Sequence, residues 1–244
     1  MNTTDELLRI LKQDRMANIS VVNFVEDNVI SDIEQVGNGW IIRGTSDRNW
    51  VYVHCRTNQE AADIRSRLRE TDTCFGAIED WMRPILIEDR TVRWDLSLAQ
   101  YILPDLVVVP DPPHATRTLT PDDAVTVYEH STYRDFISVD YIQQRIQVGP
   151  GRGIEQDGQL AAWGLTQDDG ALGFLHVRSA FRRNGYGSSV TRALIGDVRK
   201  SGRVPFAYIE PDNHKSIGLV TGLGFVRTRA CHWFEAIPDP SIRC

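Results

Sequence analysis

The stretch from Ala171 to Gly187, ALGFLHVRSAFRRNGYG, constrains the fold more than any other part of the chain. Ala171 to Val177 is an apolar run broken only by Gly173 and His176. A run this short, bounded by turn signals, fits a strand covered on both faces. Arg178 to Asn184 turns polar and basic, and from Gly185 the period changes. Val190, Ala193, Leu194 and Val198 fall on one face of a helix. The order is therefore strand, basic glycine loop, helix. A helix start presents backbone N–H groups outside its ladder and the positive end of its dipole. Glycines there let an anion approach the backbone, and Arg182 and Arg183 add charge, so the loop suits a phosphate or pyrophosphate. Two other phosphate signatures are excluded. No Gly-Lys-Ser/Thr ending marks a nucleotide-triphosphate loop. Gly187 is followed by Ser188, Ser189 and Val190, so the dinucleotide pattern Gly-x-Gly-x-x-Gly is missing as well.

The 244 residues suffice for one large domain or two of ordinary size. A hydrophobic fraction of 41% with 25% charged residues marks a globular chain. A net charge of −6 argues against a general nucleic-acid binder. No apolar run approaches the ~18 residues of a membrane span. The opening MNTTDELLRI carries acids and no apolar signal core, so no secretory signal is expected there. Cys55, Cys74, Cys231 and Cys244 lack paired metal spacing and read as free thiols of a reducing cytoplasm. With six histidines equally unpatterned, no metal is expected. Oligomeric state is not encoded in any pattern.

Taken in order, Asp5 to Met16 reads as a helix with Leu7, Leu8 and Leu11 as its stripe. Ile19 to Ile30 is ambiguous between helix and strand. Trp40 to Arg43 and Trp50 to Cys55 read as a hairpin, Asn58 to Glu70 as a helix, and Pro84 to Ile87 and Thr91 to Leu103 as strands. No chemical constellation stands out in this half. Pro104 to Pro113 holds four prolines in ten residues and cannot continue a helix or central strand. The expected organisation is an N-terminal α/β domain over 1–105, a proline-rich linker over 106–115 and a second domain over 116–244. That domain opens with a short strand, Thr116 to Leu119, and a helix capped at Thr120-Pro121-Asp122-Asp123. Ser138 to Gln147 is a second helix, ended by Gly149-Pro150-Gly151. Gly158 to Thr166 and Ala171 to Val177 pair around Asp168-Asp169-Gly170. After the helix that ends near Lys200 come a strand, Val204 to Glu210, then Asn213-x-x-Ser216, Leu223-Gly224-Phe225, and the last strands from Val226 to Ile237.

Arg182-x-x-Gly185-x-Gly187 after a strand, followed by these elements in this order, resembles the acyl-CoA-binding core of the GNAT superfamily of N-acyltransferases. The resemblance covers about Thr116 to Ile237, roughly half the chain. It implies a mixed, splayed central sheet flanked by helices, with coenzyme A entering where the second strand leaves the first. Tyr133, the Tyr141-Ile142 helix, the Gly-Pro turn, Trp163 and Pro205-Phe206-Ala207-Tyr208 are similar to the glycine N-acyltransferase-like branch. Members of that branch carry an N-terminal half that is a degenerate copy of the fold. The first helices and strands here are candidates for such a copy.

The resemblance implies acetyl-CoA as co-substrate and an amine-bearing small molecule or peptide as acceptor, joined by direct attack in a ternary complex. Backbone groups of Leu175, His176 and Val177 would face the pantetheine and thioester. Arg182, Arg183, Asn184, Gly185, Tyr186, Gly187 and Ser188 would hold the pyrophosphate, with Asn213 and Ser216 near the pantetheine arm. Asn213 is equally placed to cap a helix. The chain departs from the family pattern at two positions. The family's proton-donor tyrosine, seven residues after the asparagine, is here Val220, and the glutamate that begins the first motif strand in the glycine acyltransferases is here Ala171. Acetyl transfer needs a proton acceptor for the amine and a polarised carbonyl. The candidate catalytic residues are Glu210, which closes the second strand on the face of Tyr208, Phe206 and Val204; Tyr208 as an acid; and His176, which alternates with Phe174 and Leu172. The other reading is a non-catalytic acyl-CoA-binding regulatory module.

Overall fold

A computed structural model describes residues 3–241, so Cys244 lies outside the described residues. The chain divides into two compact units. The first holds residues up to Gln100, Glu210–Asp212 and the stretch from Thr228 onward; the second holds Tyr101–Ile209 and Asn213–Arg227.

The first unit opens with helices α1 (Thr3–Leu11) and α2 (Ile19–Asp27). Strands β1 (Val29–Val36), β2 (Gly39–Thr45) and β3 (Asn49–His54) follow, each antiparallel to the next. Helix α3 (Asn58–Arg65) crosses over to β4 (Cys74–Glu79), which lies parallel to β3. A single-turn α4 (Arg83–Leu86) and the long β5 (Arg90–Ile102) complete this run. The second unit carries β6 (Arg117–Thr118), α5 (Ala124–Glu129) and α6 (Val139–Val148), then β7 (Gly151–Gln156), β8 (Gln159–Thr166) and β9 (Leu172–Val177). From β6 to β9 each strand is antiparallel to its neighbour. Helix α7 (Tyr186–Lys200) crosses over to β10 (Phe206–Ile209), parallel to β9, and α8 (His214–Gly222) follows. The final strand, β11 (Val226–Pro238), pairs antiparallel with β4 inside the first unit. Along the chain, the run from α5 to β11, which follows the short β6, repeats the order of the run from α1 to β5: helix, helix, three antiparallel strands, helix, parallel strand, helix, strand.

Period-2 burial explains the first sheet. Trp40 and Ile42 of β2 pack with Leu7, Leu11, Phe24 and Tyr52 on one face, while Ile41 packs with Val51, Ile64, Phe75 and Phe234 on the other. Each fully buried side chain of this kind contributes about 1.5–3 kcal/mol. From β2, Arg43 is held by Asp72 of the α3–β4 connection at 2.8 Å and by Asp32 and Glu34 of β1 at 2.9 Å and 3.0 Å. In the second unit Leu119, Val127, Ile142, Ile146, Trp163 and Leu165 form the core between α5, α6 and the sheet. The opposite face meets α7, where Gly164 lets Leu194 and Val190 press against the strand.

Local signals set most boundaries. The Ser138 hydroxyl accepts from the Tyr141 N–H at 3.1 Å, and Thr57 accepts from Glu60 at 3.2 Å. Thr120 and Asp123 close a capping box. Gly224, at φ +94°, ends α8, and Phe225 is buried behind it.

Several readings of the sequence change. Pro84 to Ile87 is not a strand: Pro84 sits in the first turn of α4, where its missing N–H costs no helical bond. Ile19 to Ile30 resolves into helix to Asp27 and strand from Val29. Helix α3 stops at Arg65 rather than Glu70, and the α-helix from Thr3 ends at Leu11 rather than Met16. Strands β1, β4 and β7 appear where no strand was expected.

Candidate active site

The site is built on β9, the loop after it and the start of α7, all within the second unit. Strand β9 contains a bulge. Trp163 stands opposite His176, but Leu165 stands opposite Gly173, so β9 has one residue more than β8 over this interval. Phe174, at φ +53°, takes up the irregularity. The bulge reverses the alternation beyond it. His176 and Phe174 face the α5–α6 side, where Phe174 packs against the core with Trp163. Leu175 lies on the α7 side, against Gly164. Leu172 pairs with Thr166, so it shares the face of Leu175, not that of His176 as simple alternation predicts.

Strand β10 meets β9 at one register pair, Ala207 opposite Leu172. Past this pair no register pair joins the two strands, which leaves the β9 edge from Gly173 to Val177 outside the β9–β10 ladder. Backbone N–H and C=O groups along such an edge require a partner, which an extended polar ligand can supply. Leu175, His176 and Val177 all lie on this edge, and Leu175 is exposed.

The loop from Arg178 to Asn184 leads from this edge to α7. The Arg182 Nε donates to the Val177 carbonyl at 3.1 Å, folding the loop back on the strand end. Arg183 at φ +69° and Gly185 at φ +77° both adopt left-handed backbone. Alternating backbone of this sort turns successive N–H groups inward, an anion-binding arrangement. The ladder of α7 begins with the Ser189 N–H donating to Gly185. The N–H groups of Tyr186, Gly187 and Ser188 therefore precede it. Arg182, Arg183, Asn184 and Gly185 are exposed. A Cβ on Gly187 would stand 3.4 Å from Val177, so the helix start lies close against the strand end.

Asn213 caps α8, its Oδ1 accepting from the Ser216 N–H at 3.2 Å. Tyr208 is half-buried and meets Phe206 edge to face at 5.7 Å, as strand alternation predicts. Glu210 follows β10 directly and groups with the first unit. Val220 and Ala171, which stand where the family has tyrosine and glutamate, are both buried packing residues.

The His176 ring stacks on buried Trp163 at 4.7 Å and 20°. His130, at the end of α5, stands edge-on to both, 5.5 Å from Trp163 and 5.6 Å from His176. Burial first, then the positive charge of His130, Arg182 and Arg178, lowers the His176 pKa below its ordinary value. Sequence reading missed His130 because its position four residues after Thr126 looks like a plain helix end. Among the described residues no group of three or more His, Cys, Asp or Glu side chains is disposed to hold a metal. Cys55, Cys74 and Cys231 are buried and not joined in disulfides, and burial raises the Cys55 thiol to about 12. No described helix is long and apolar enough to cross a membrane.

This architecture is the mixed α/β fold of GNAT acetyltransferases. Residues 148–234 match the family described as FR47-like protein. A Drosophila protein solved by a structural genomics consortium superposes with a TM-score of 0.80 over 96% of both chains, at 18% identity. A GCN5-related N-acetyltransferase from Kribbella flavida superposes at TM-score 0.58 and 14% identity, covering 93% of this chain and 96% of its own. A tandem GNAT protein from the clavulanic acid biosynthesis pathway gives TM-score 0.54 and 16% identity over 91% of this chain and 88% of its own. At these identities the likeness is one of fold. No curated protein matches the sequence.

Proposed function

We propose that the chain is an acyl-CoA-dependent N-acetyltransferase. It moves an acetyl group from acetyl-CoA to the amine of a small molecule or peptide by direct attack in a ternary complex. The observation that carries this reading is the parting of β9 and β10 after Ala207–Leu172, directly beside the Arg182–Ser188 cradle. A pantetheine arm fits along the opened edge of β9 when the pyrophosphate rests on the α7 start. Leu175, His176 and Val177 offer backbone groups to the arm and thioester. Arg182, Arg183, Asn184, Gly185, Tyr186, Gly187 and Ser188 hold the pyrophosphate, and Asn213 and Ser216 flank the arm. Holding both substrates is the larger part of such catalysis. Glu210, Tyr208 and His176 are the groups proposed to handle protons, with His176 neutral near pH 7 and so able to accept one.

The shared element order supports reading the first unit as a degenerate copy of the fold. In that copy β3 passes to α3 through Cys55, Arg56 and Thr57, with no glycine loop, so the second unit carries the cofactor. Tyr133, Trp163 and Pro205–Tyr208 favour the glycine N-acyltransferase-like branch. Buried cysteines outside any disulfide suit a reducing compartment such as the cytoplasm.

The test is incubation with acetyl-CoA and a panel of amino acids, polyamines and short peptides, read by thiol release and by acetylated mass. Acetyl transfer to at least one amine is expected. A folded protein that binds acetyl-CoA and acetylates none of them is a binding module instead.

A further inference from the structure

The His130–Trp163–His176 cluster lies on the α5–α6 face of the sheet, beside the part of β9 that β10 has left. Trp163 is 1% exposed and stacks flat on His176, which fixes the plane of that imidazole. The Nδ1 of His130 lies 3.0 Å from the Thr126 carbonyl oxygen. A carbonyl oxygen only accepts, so Nδ1 carries the hydrogen and Nε2 keeps the lone pair in the neutral ring. The helix end thereby presents His130 as a base in one tautomer. The ring centroids stand 5.6 Å apart, a spacing that one bridging water can span for proton transfer between the two imidazoles.

We propose that His176 accepts the proton of the acceptor amine and that His130 is the positioning residue that keeps it ready to do so and carries the proton onward. This rests on the acetyltransferase reading above. In the step, the amine nitrogen forms a bond to the thioester carbonyl carbon. The C–S bond breaks, with its electron pair leaving on sulfur. The amine proton passes to His176, the proton returns to the thiolate or solvent by way of His130, and the products are the amide and coenzyme A. The charged groups facing His176 are His130 from the end of α5 and Arg178 and Arg182 from the following loop, while β8 contributes the uncharged Trp163. The two arginines, and His130 whenever it carries a proton, push the imidazole toward its neutral, proton-accepting form. Two imidazoles this close hold one extra proton between them far more easily than two.

The test is an NMR titration of the 15N-labelled full chain from about pH 5 to 8, the range over which histidine changes charge. Wild type and His130→Gln are compared with and without acetyl-CoA, alongside calorimetry of acetyl-CoA. The expected results are an Nδ1–H tautomer at His130, titration of His176 at higher pH in His130→Gln, and movement of both imidazole signals when acetyl-CoA binds. With an amine from the acceptor panel, His176→Gln should lower kcat at least tenfold with the acetyl-CoA KM unchanged, and His130→Gln should move the acid limb of the pH profile upward. An Nε2–H tautomer at His130 in wild type overturns the proposal even if the variant fails to fold. So does saturable acetyl-CoA binding that leaves both imidazoles unmoved, or an unchanged His176 titration in His130→Gln. Absence of any calorimetric binding removes the acetyltransferase reading itself, and this proposal with it.

Discussion

Gly185→Ala separates backbone strain from loss of an anion site. Gly185 has φ +77°, and an added Cβ would stand 3.5 Å from His114 Nε2 and 3.8 Å from its Cδ2, which is ordinary contact. No clash arises, so the stability cost is that of left-handed alanine, about 1–2 kcal/mol. For a chain of this size that corresponds to a fall in Tm of about 2–8 °C. Gly158, in the turn between β7 and β8, provides the control. Its φ is +71°, and nothing lies within 4 Å of its added Cβ, so Gly158→Ala should lower Tm by a similar amount. Acetyl-CoA affinity should distinguish the two. On the proposed assignment, a methyl group at Gly185 crowds a pyrophosphate resting on the N–H groups of the α7 start, whereas one at Gly158 does not. Losing one charge-assisted hydrogen bond costs roughly 1.5–3 kcal/mol, about ten- to hundredfold in Kd. Thermal melts and calorimetry on the three proteins make the comparison. Wild-type affinity in Gly185→Ala, or an equal loss in Gly158→Ala, would refute the assignment of the cradle.

Three further outcomes are expected. Arg43→Leu leaves buried Asp72 without its guanidinium and should cost about 3–5 kcal/mol in chemical denaturation; a loss below about 1 kcal/mol would contradict the description of the cluster. The folded-state pKa of His176 lies below its ordinary value, so the unfolded chain takes up the proton first. The stability this group contributes is whole above the ordinary histidine pKa of about 6.5 and is lost as pH falls through that value toward the folded one. His54 shifts in the same direction, with burial as its main cause. Melts between about pH 7.5 and 5.5 should therefore show acid destabilisation that is smaller in His176→Gln, and identical slopes would contradict it. Asn213→Ala removes the α8 cap and should lower stability by about 1 kcal/mol; an unchanged melt would show that the cap contributes nothing.

The second unit was legible where punctuation is strong. Gly170 at φ +81° turns the β8–β9 hairpin, and Gly185 at φ +77° starts α7, both at positions where a side chain would be strained. Ser138, Thr120 and Asn213 cap the elements they precede. Legibility failed where tertiary packing overrides local preference. Helix α2 is buried along Ile19–Val25, so no polar face reveals its period. Strand β7 carries Gly151 and Gly153, which look like loop residues. A Cβ on Gly153 would come within 2.6 Å of Leu160 and 2.9 Å of Leu119, so the glycine is there for close packing. The bulge at Phe174 has no sequence signal, because a non-glycine residue takes the positive φ. That hidden bulge is why alternation assigned Leu172 to the wrong face. His130 joins His176 through folding alone, at a sequence distance no local pattern spans.

Calorimetric titration of acetyl-CoA into the wild-type protein tests the central claim most directly. The account predicts saturable one-site binding around micromolar, about −8 kcal/mol. Folded protein that takes up no heat from acetyl-CoA across the millimolar range would contradict it, and the parted strands would then be a feature of the fold alone.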